Sequence, residues 1–225
     1  MGSRKMATVL SATDEKKALV RRVIMRLEKL YPDARTALEF SNPLELMVAV
    51  ILSAQCTDAM VNRITPTLFR RYGTARDYAG AEAGELEDYI KSCGFYHSKA
   101  KNIIGAAQKL VADFEGEIPR TMAEIITLPG IARKSGNIIL YATYGVAEGI
   151  AVDTHVKRLS QRLGLSAHTD PDKIERDLMD IVPQVKWGRL NYLLVNLGRD
   201  MCTARIARHD ECVLRDICSF TTMDV

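Results

Sequence analysis

Apolar residues recur at helical spacing along almost the whole chain. Leu19, Val23, Leu27 and Leu30 follow one another at intervals of four, four and three, on one face of a helix over residues 14–31 that Tyr31-Pro32-Asp33 ends. Asn42-Pro43 opens the next helix, a cap residue before proline at the first helical position. The run LELMVAVILSA that follows is so poor in polar residues that burial on nearly every side is expected. Further helices are expected at 58–64, 67–72, 85–92 and 98–114, with Gly73, Gly84 and Gly94 as punctuation. Thr121 and Glu124 have capping-box spacing for a short helix that stops at Leu128-Pro129-Gly130, and another runs from Arg133 to Thr143. Helical periodicity returns at 154–163, 171–181 and 187–197, and sustained period-two alternation is absent. The fold class read from this pattern is all-α. There is no fixed-period repeat and no linker rich in Gly, Ser or Pro, so any division into domains must come from topology.

Composition narrows the class without naming a function. The chain has 225 residues, 47% of them apolar and 26% charged, which suits a folded globular protein and argues against disorder. A net charge of +3 falls short of the strongly basic balance of an obvious nucleic-acid binder. Basic pairs recur at Lys16-Lys17, Arg21-Arg22, Arg70-Arg71, Arg133-Lys134 and Lys157-Arg158, and taken singly they read as solvated helix faces. No apolar run reaches the ~18 residues of a membrane span, and MGSRKMATVL lacks the apolar centre of a secretory signal. A cytoplasmic protein with no membrane association is expected. Five cysteines, three of them near the C-terminus, fit a reducing compartment and a metal better than a disulfide framework.

Two stretches carry chemistry. In CTARIARHDECVLRDIC, residues 202–218, Cys202, His209, Cys212 and Cys218 are separated by six, two and five residues. Three thiols and an imidazole suit an iron–sulfur centre or tetrahedral zinc, and a lost metal site is the third possibility. In ITLPGIARKSGNIIL, residues 126–140, Pro-Gly-Ile-Ala joins two short helices. Gly130 permits a tight turn, and the first N–H groups of the second helix then point outward, where they bind phosphate well.

This stretch resembles the helix-hairpin-helix motif of the endonuclease III family of DNA glycosylases. ILSAQCTD at 51–58, GFYHSKAKNI at 94–103, LPGIARKSGN at 128–137 and AVDTH at 151–155 occur in the family's order with near-family spacing. The resemblance implies two α-helical domains. One is a six-helix barrel with the hairpin, residues 36–146; the other is a metal-cluster domain formed by both termini, residues 1–35 and 147–225. It implies that Leu128, Gly130, Ile131, Ala132 and Arg133 bind DNA, and that Lys134 and Asp153 are the catalytic pair on either side of a cleft. It also implies that Gln55 and Phe95 fill the gap left by an extruded nucleotide, with His97, Ser98 and Lys99 as phosphate contacts. Residue type and spacing alone would make Lys134 a solvated charge, Asp153 and Ser98 helix caps and Phe95 a core aromatic. Ala132 stands where the family usually has a second glycine, and would be strained only at positive φ. His155 reads as structural, and Cys56 and Cys93 as small core residues.

The family places four cysteines in the tail, at these same spacings, on a [4Fe-4S] cluster. Here His209 stands second, and a retained cluster on Cys202, His209, Cys212 and Cys218 is expected, with zinc as the alternative. Arg199, Arg205 and Arg208 are expected to lie along the DNA backbone. The function implied is that of a bifunctional DNA glycosylase and abasic-site lyase in base excision repair, acting on damaged pyrimidines. Its partner would be double-stranded DNA containing a damaged base or abasic site. The chain would act as a monomer in the cytoplasm, nucleoid-associated if prokaryotic. Two alternatives stand beside it: a mismatch-specific thymine/uracil glycosylase of the same superfamily, and a DNA-binding module without catalysis in which Lys134 only contacts phosphate.

Overall fold

The structure, a computed structural model, describes residues 11–222 and side-chain surroundings up to residue 220. Those residues form helices joined by loops and short 3-10 turns, in two compact units. One unit is Arg35–Ala151; the other joins the stretch ending at Ala34 to the stretch from Val152 onward. The second boundary lies at 151/152, where the resemblance implies 146/147. The intervening residues belong to the first unit because Glu148 accepts the Met122 N–H at 3.0 Å and its carbonyl accepts from Arg133 at 3.2 Å. Ile150 and Ala151 are buried besides.

The first unit contains α2 (Pro43–Ser53), α3 (Asp58–Arg71), α4 (Ala75–Ala79), α5 (Ala83–Ile90), α6 (Tyr96–Asp113), α7 (Met122–Ile125) and α8 (Arg133–Tyr144). α2 begins as its sequence suggests: Asn42 accepts the Glu45 N–H, and Pro43 occupies the first turn, where its missing donor costs nothing. Leu46 through Leu52 are all buried, and α2 lies against α3, α6 and α8. α3 is one helix where the pattern suggests two. Pro66 removes one backbone donor, yet Val61, Thr65 and Leu68 are buried on a common face at spacings of four and three, which holds both halves in line. α4 is a single turn that periodicity cannot reveal, although Thr74 and Asp77 form a full capping box at its start. At α7, Thr121 accepts the Glu124 N–H but donates its hydroxyl to the Glu124 carboxylate, a side-chain pair in place of the reciprocal box.

The second unit contains α1 (Ala12–Leu30), α9 (Thr154–Arg162), α10 (Pro171–Ile181) and α11 (Trp187–Asp200). α1 buries Val20, Val23, Ile24 and Leu27, one position around from the expected stripe, and Leu19 and Leu30 flank it half-buried. α1 packs on α10 and α11, and α9 packs on the same two helices. Arg189 of α11 donates to the carbonyls of Tyr31, Pro32 and Ala34, so a cation satisfies acceptors just past the C-terminal end of α1. No helix among the described residues is long and apolar enough to cross a membrane.

The contact between α9 and α11 is close at one point. A Cβ on Gly198 would meet His155 Nδ1 at 2.6 Å, so the imidazole lies directly on the glycine backbone. Arg158 donates to His155 Nδ1 from 3.1 Å, and to the Gly198 and Cys202 carbonyls. His155 is therefore structural, and its pKa is lowered first by burial and then by Arg158 and Arg199, against the opposing charge of Asp153. A lowered folded pKa means that the unfolded chain takes up the proton first. The stabilisation is thus full above about pH 6.5 and is lost as the pH falls through the folded value. Denaturant titrations should show stability declining with acidification below that point, and a His155→Gln variant should show a flatter profile over the same range.

Candidate active site and metal-ligand loop

The hairpin between α7 and α8 turns within the seven residues 126–132. The Leu128 N–H returns to the Ile125 carbonyl at 3.2 Å and the Ile131 N–H to Leu128 at 3.1 Å. Gly130 has φ +81, and a Cβ there would lie 2.9 Å from the Asn102 side chain on α6, so both backbone and space require glycine. α7 and α8 approach closely at Gly136, where a Cβ would fall 2.9 Å from Met122 Sδ. Leu128 and Ile131 bury their side chains. Both were expected to bind DNA, and neither presents its side chain to a ligand; the exposed residues of the turn are Pro129, Gly130 and Ala132. Ala132 is extended at φ −97, so the departure from glycine introduces no strain. It is also the N-cap of α8, and its methyl group cannot accept a hydrogen bond, so no side chain caps the first turn of Arg133, Lys134 and Ser135. Lys134 is exposed on that turn.

Gln55 and Phe95 sit on two loops of the same unit, and both have left-handed backbones, at φ 52 and φ 49. Such a conformation costs about 1–3 kcal/mol for a residue with a side chain. Phe95 is 67% exposed, which excludes a core role. His97 is exposed and pairs with Glu87 at 2.8 Å, and Ser98 is exposed inside α6 without capping it. Lys99 corrects the expectation of a phosphate contact. It is 4% exposed, and its ammonium donates to the carbonyls of Leu52 at 2.8 Å and Cys93 at 2.5 Å. Burial lowers its pKa, opposed by the neighbouring Cys56 and Cys93. The Cys93 thiol is pushed up to about 12, mainly by burial and then by contact with Cys56, as befits a core residue and not a nucleophile.

Asp153 is half-buried at the start of α9, where its Oδ1 accepts the Val156 N–H at 2.8 Å. It is a helix cap, and capping fixes the direction of the carboxylate.

The tail after α11 is held by polar contacts in place of an apolar core. Cys202 bridges to Ala207, Arg26 forms a bidentate pair with Asp216, and Tyr31 donates to Asp200 at 2.9 Å. Arg208, expected along the DNA backbone, binds Asp200 and Glu211, so its charge is paired within the loop. Cys202, His209, Cys212 and Cys218 line one pocket with Leu159, Leu197 and Leu214 among its apolar walls. Burial raises the Cys212 thiol, and the nearby Cys218 and Cys202 add to the effect. Among the described residues, no group of three or more His, Cys, Asp or Glu side chains is placed to hold a single metal ion. No local pattern pointed to Arg162, which donates to Cys202 Sγ at 3.0 Å and lies over the Phe220 ring at 4.4 Å. Its partners are 40 or more residues away.

Residues 48–184 match the HhH-GPD superfamily of base excision DNA repair proteins. Endonuclease III of Synechocystis sp. is 47% identical over 213 residues, spanning 95% of this chain and 97% of the relative. A solved structure of a trapped endonuclease III–DNA covalent intermediate is 38% identical and superposes with a TM-score of 0.87 over 96% of this chain and 99% of the other. A thermostable thymine-DNA glycosylase, 20% identical, has a TM-score of 0.82 over 95% of this chain and all of its own, and shares the fold. The chain is a member of the endonuclease III family, within the HhH-GPD superfamily.

Proposed function

We propose that the chain is a bifunctional DNA glycosylase and abasic-site lyase that removes damaged pyrimidines from double-stranded DNA. The observation that carries this reading is an exposed amine, Lys134, on the uncapped first turn of α8 directly after the hairpin, in a chain of this family. The main-chain N–H groups of that turn suit a phosphate, and they bring the strand to the amine. Lys134 Nζ, once neutral, attacks the sugar C1′ as the C1′–N bond breaks and the base leaves with the bonding pair. The nitrogen gives up a proton to the departing base, and its lone pair then forms C1′=N as the C1′–O4′ bond breaks and O4′ takes a proton from water, which leaves a Schiff base. Loss of the C2′ proton then places an electron pair between C2′ and C3′ and expels the 3′ phosphate. Asp153 stabilises positive charge that grows on the sugar as the base departs. Gln55 hydrogen-bonds the orphaned base in place of its lost partner, and Phe95 wedges between its neighbours in place of the lost stacking.

Cys202, His209, Cys212 and Cys218 would hold a [4Fe-4S] cluster, with the imidazole replacing a thiolate on one iron. Their common pocket and soft donors fit the group, which when bound would cross-link the loop that Arg162 and Arg208 already fold. Purified protein should show broad visible absorption with iron and acid-labile sulfide. A His209→Ala variant should lose iron faster on exposure to air, and stoichiometric zinc without iron would overturn the assignment.

Borohydride should trap the native chain covalently on abasic duplex, and the absence of an adduct would favour a passive binder. Lys134→Gln should abolish trapping yet leave DNA affinity within about tenfold, since the main-chain donors remain. Asp153→Asn should slow base release by about tenfold or more while binding changes less, and equal losses would remove its catalytic role. Among duplexes carrying single lesions or mismatches, release of damaged pyrimidines is expected. Release confined to thymine or uracil opposite guanine would replace this substrate class.

A further inference from the structure

The geometry points to Lys99 as a positioning residue for duplex opening, whose buried ammonium ties together the two loops that present Gln55 and Phe95. The inference rests on the proposed roles of those two side chains. Leu52 lies in the last turn of α2, where carbonyls lack intrahelical partners, and three residues before Gln55. Cys93 closes the 3-10 turn Lys91–Cys93, two residues before Phe95, with Gly94 between them at φ 61. A single nitrogen at 2.8 Å and 2.5 Å from these two carbonyls therefore fixes the root of each loop against the other. The Lys99 main chain adds a third tie, its N–H donating to the Phe95 carbonyl at 3.1 Å.

A simple core role does not explain a lysine here. A leucine or methionine would fill the space without the cost of burying an ammonium, but would leave two carbonyls of the loops unpaired. An ammonium is a compact donor that can serve both at once, and it complements the negative end of α2. Its position also explains how two exposed side chains keep left-handed backbones in adjacent loops. Each is anchored at its base to the same buried atom, so neither loop relaxes without breaking a bond of the other.

The test compares two substrates for the full-length chain. One is a fully paired abasic duplex; in the second, the partner strand lacks the nucleotide opposite the abasic site, so no base remains to be orphaned. Lys99→Met should slow borohydride trapping on the paired duplex by about tenfold or more and on the gapped one by less than about threefold. Lys99→Arg, which keeps a cationic donor, should recover part of the paired-duplex rate. If Lys99→Met does not fold, Lys99→Gln serves in the same comparison. Equal losses on the two substrates would mean a general structural role and overturn the proposal. Gln55→Ala and Phe95→Ala are measured alongside. Selective loss in those two but not in the Lys99 variants overturns the Lys99 proposal alone. Native-like rates in both alanine variants overturn the duplex-opening reading on which it rests.

Discussion

The burial of Leu128 and Ile131 is the constraint on which the hairpin depends. Each side chain contributes about 1.5–3 kcal/mol by leaving water, and the two flank the one turn that must stay open to a ligand. With both ends of the turn pulled inward, Gly130 and Ala132 have nowhere to go but out, and the first turn of α8 follows them. The left-handed Gly130 costs little because it lacks a Cβ, whereas any side chain there would meet Asn102. The same apolar anchors thus decide the direction of the donors that suit a phosphate and the position of the Lys134 amine.

The loops bearing Gln55 and Phe95 solve a different problem. Their side chains face solvent, so apolar burial cannot hold them, and their backbones carry strain of about 1–3 kcal/mol each. Hydrogen bonds from a charged donor are worth about 1.5–3 kcal/mol each, enough to balance that strain. Lys99 supplies two of them from beneath. Strain is thereby kept in the backbones beneath the side chains proposed to enter the duplex, while the atom that restrains them stays out of solvent.

The tail uses a third arrangement. Leu214 is its one deeply buried apolar anchor among the described residues after Met201. Arginines do the rest: Arg26, Arg162 and Arg208 each donate to main-chain carbonyls and to an acidic or thiol partner. A planar guanidinium can bridge several acceptors at once, which suits a loop too short of apolar residues to fold by burial. Four candidate ligands meet in the pocket that results.

The sequence by itself determined most helices and their starts, because periodicity and capping are local: Ser11, Asn42, Thr57, Asp153 and Asp170 all accept a backbone N–H within their own first turn. Four blocks in the family's order pointed to the family, and the spacing of the candidate tail ligands was legible in the same way. What failed depended on distance or on short range within a turn. Pro66 reads as a break, but side chains packed around it keep α3 whole; α4, with five residues, is too short for the pattern to repeat. Lys99 sits beside His97 and Ser98 in a polar run and reads as exposed, and only the approach of Leu52 from another helix makes it a buried clamp. Arg208 reads as a free charge until folding brings Asp200 and Glu211 to it. Local rules set which residues can begin, end or face a helix, whereas the environment of a charge is set by atoms from elsewhere in the chain, and only the tertiary structure supplies those.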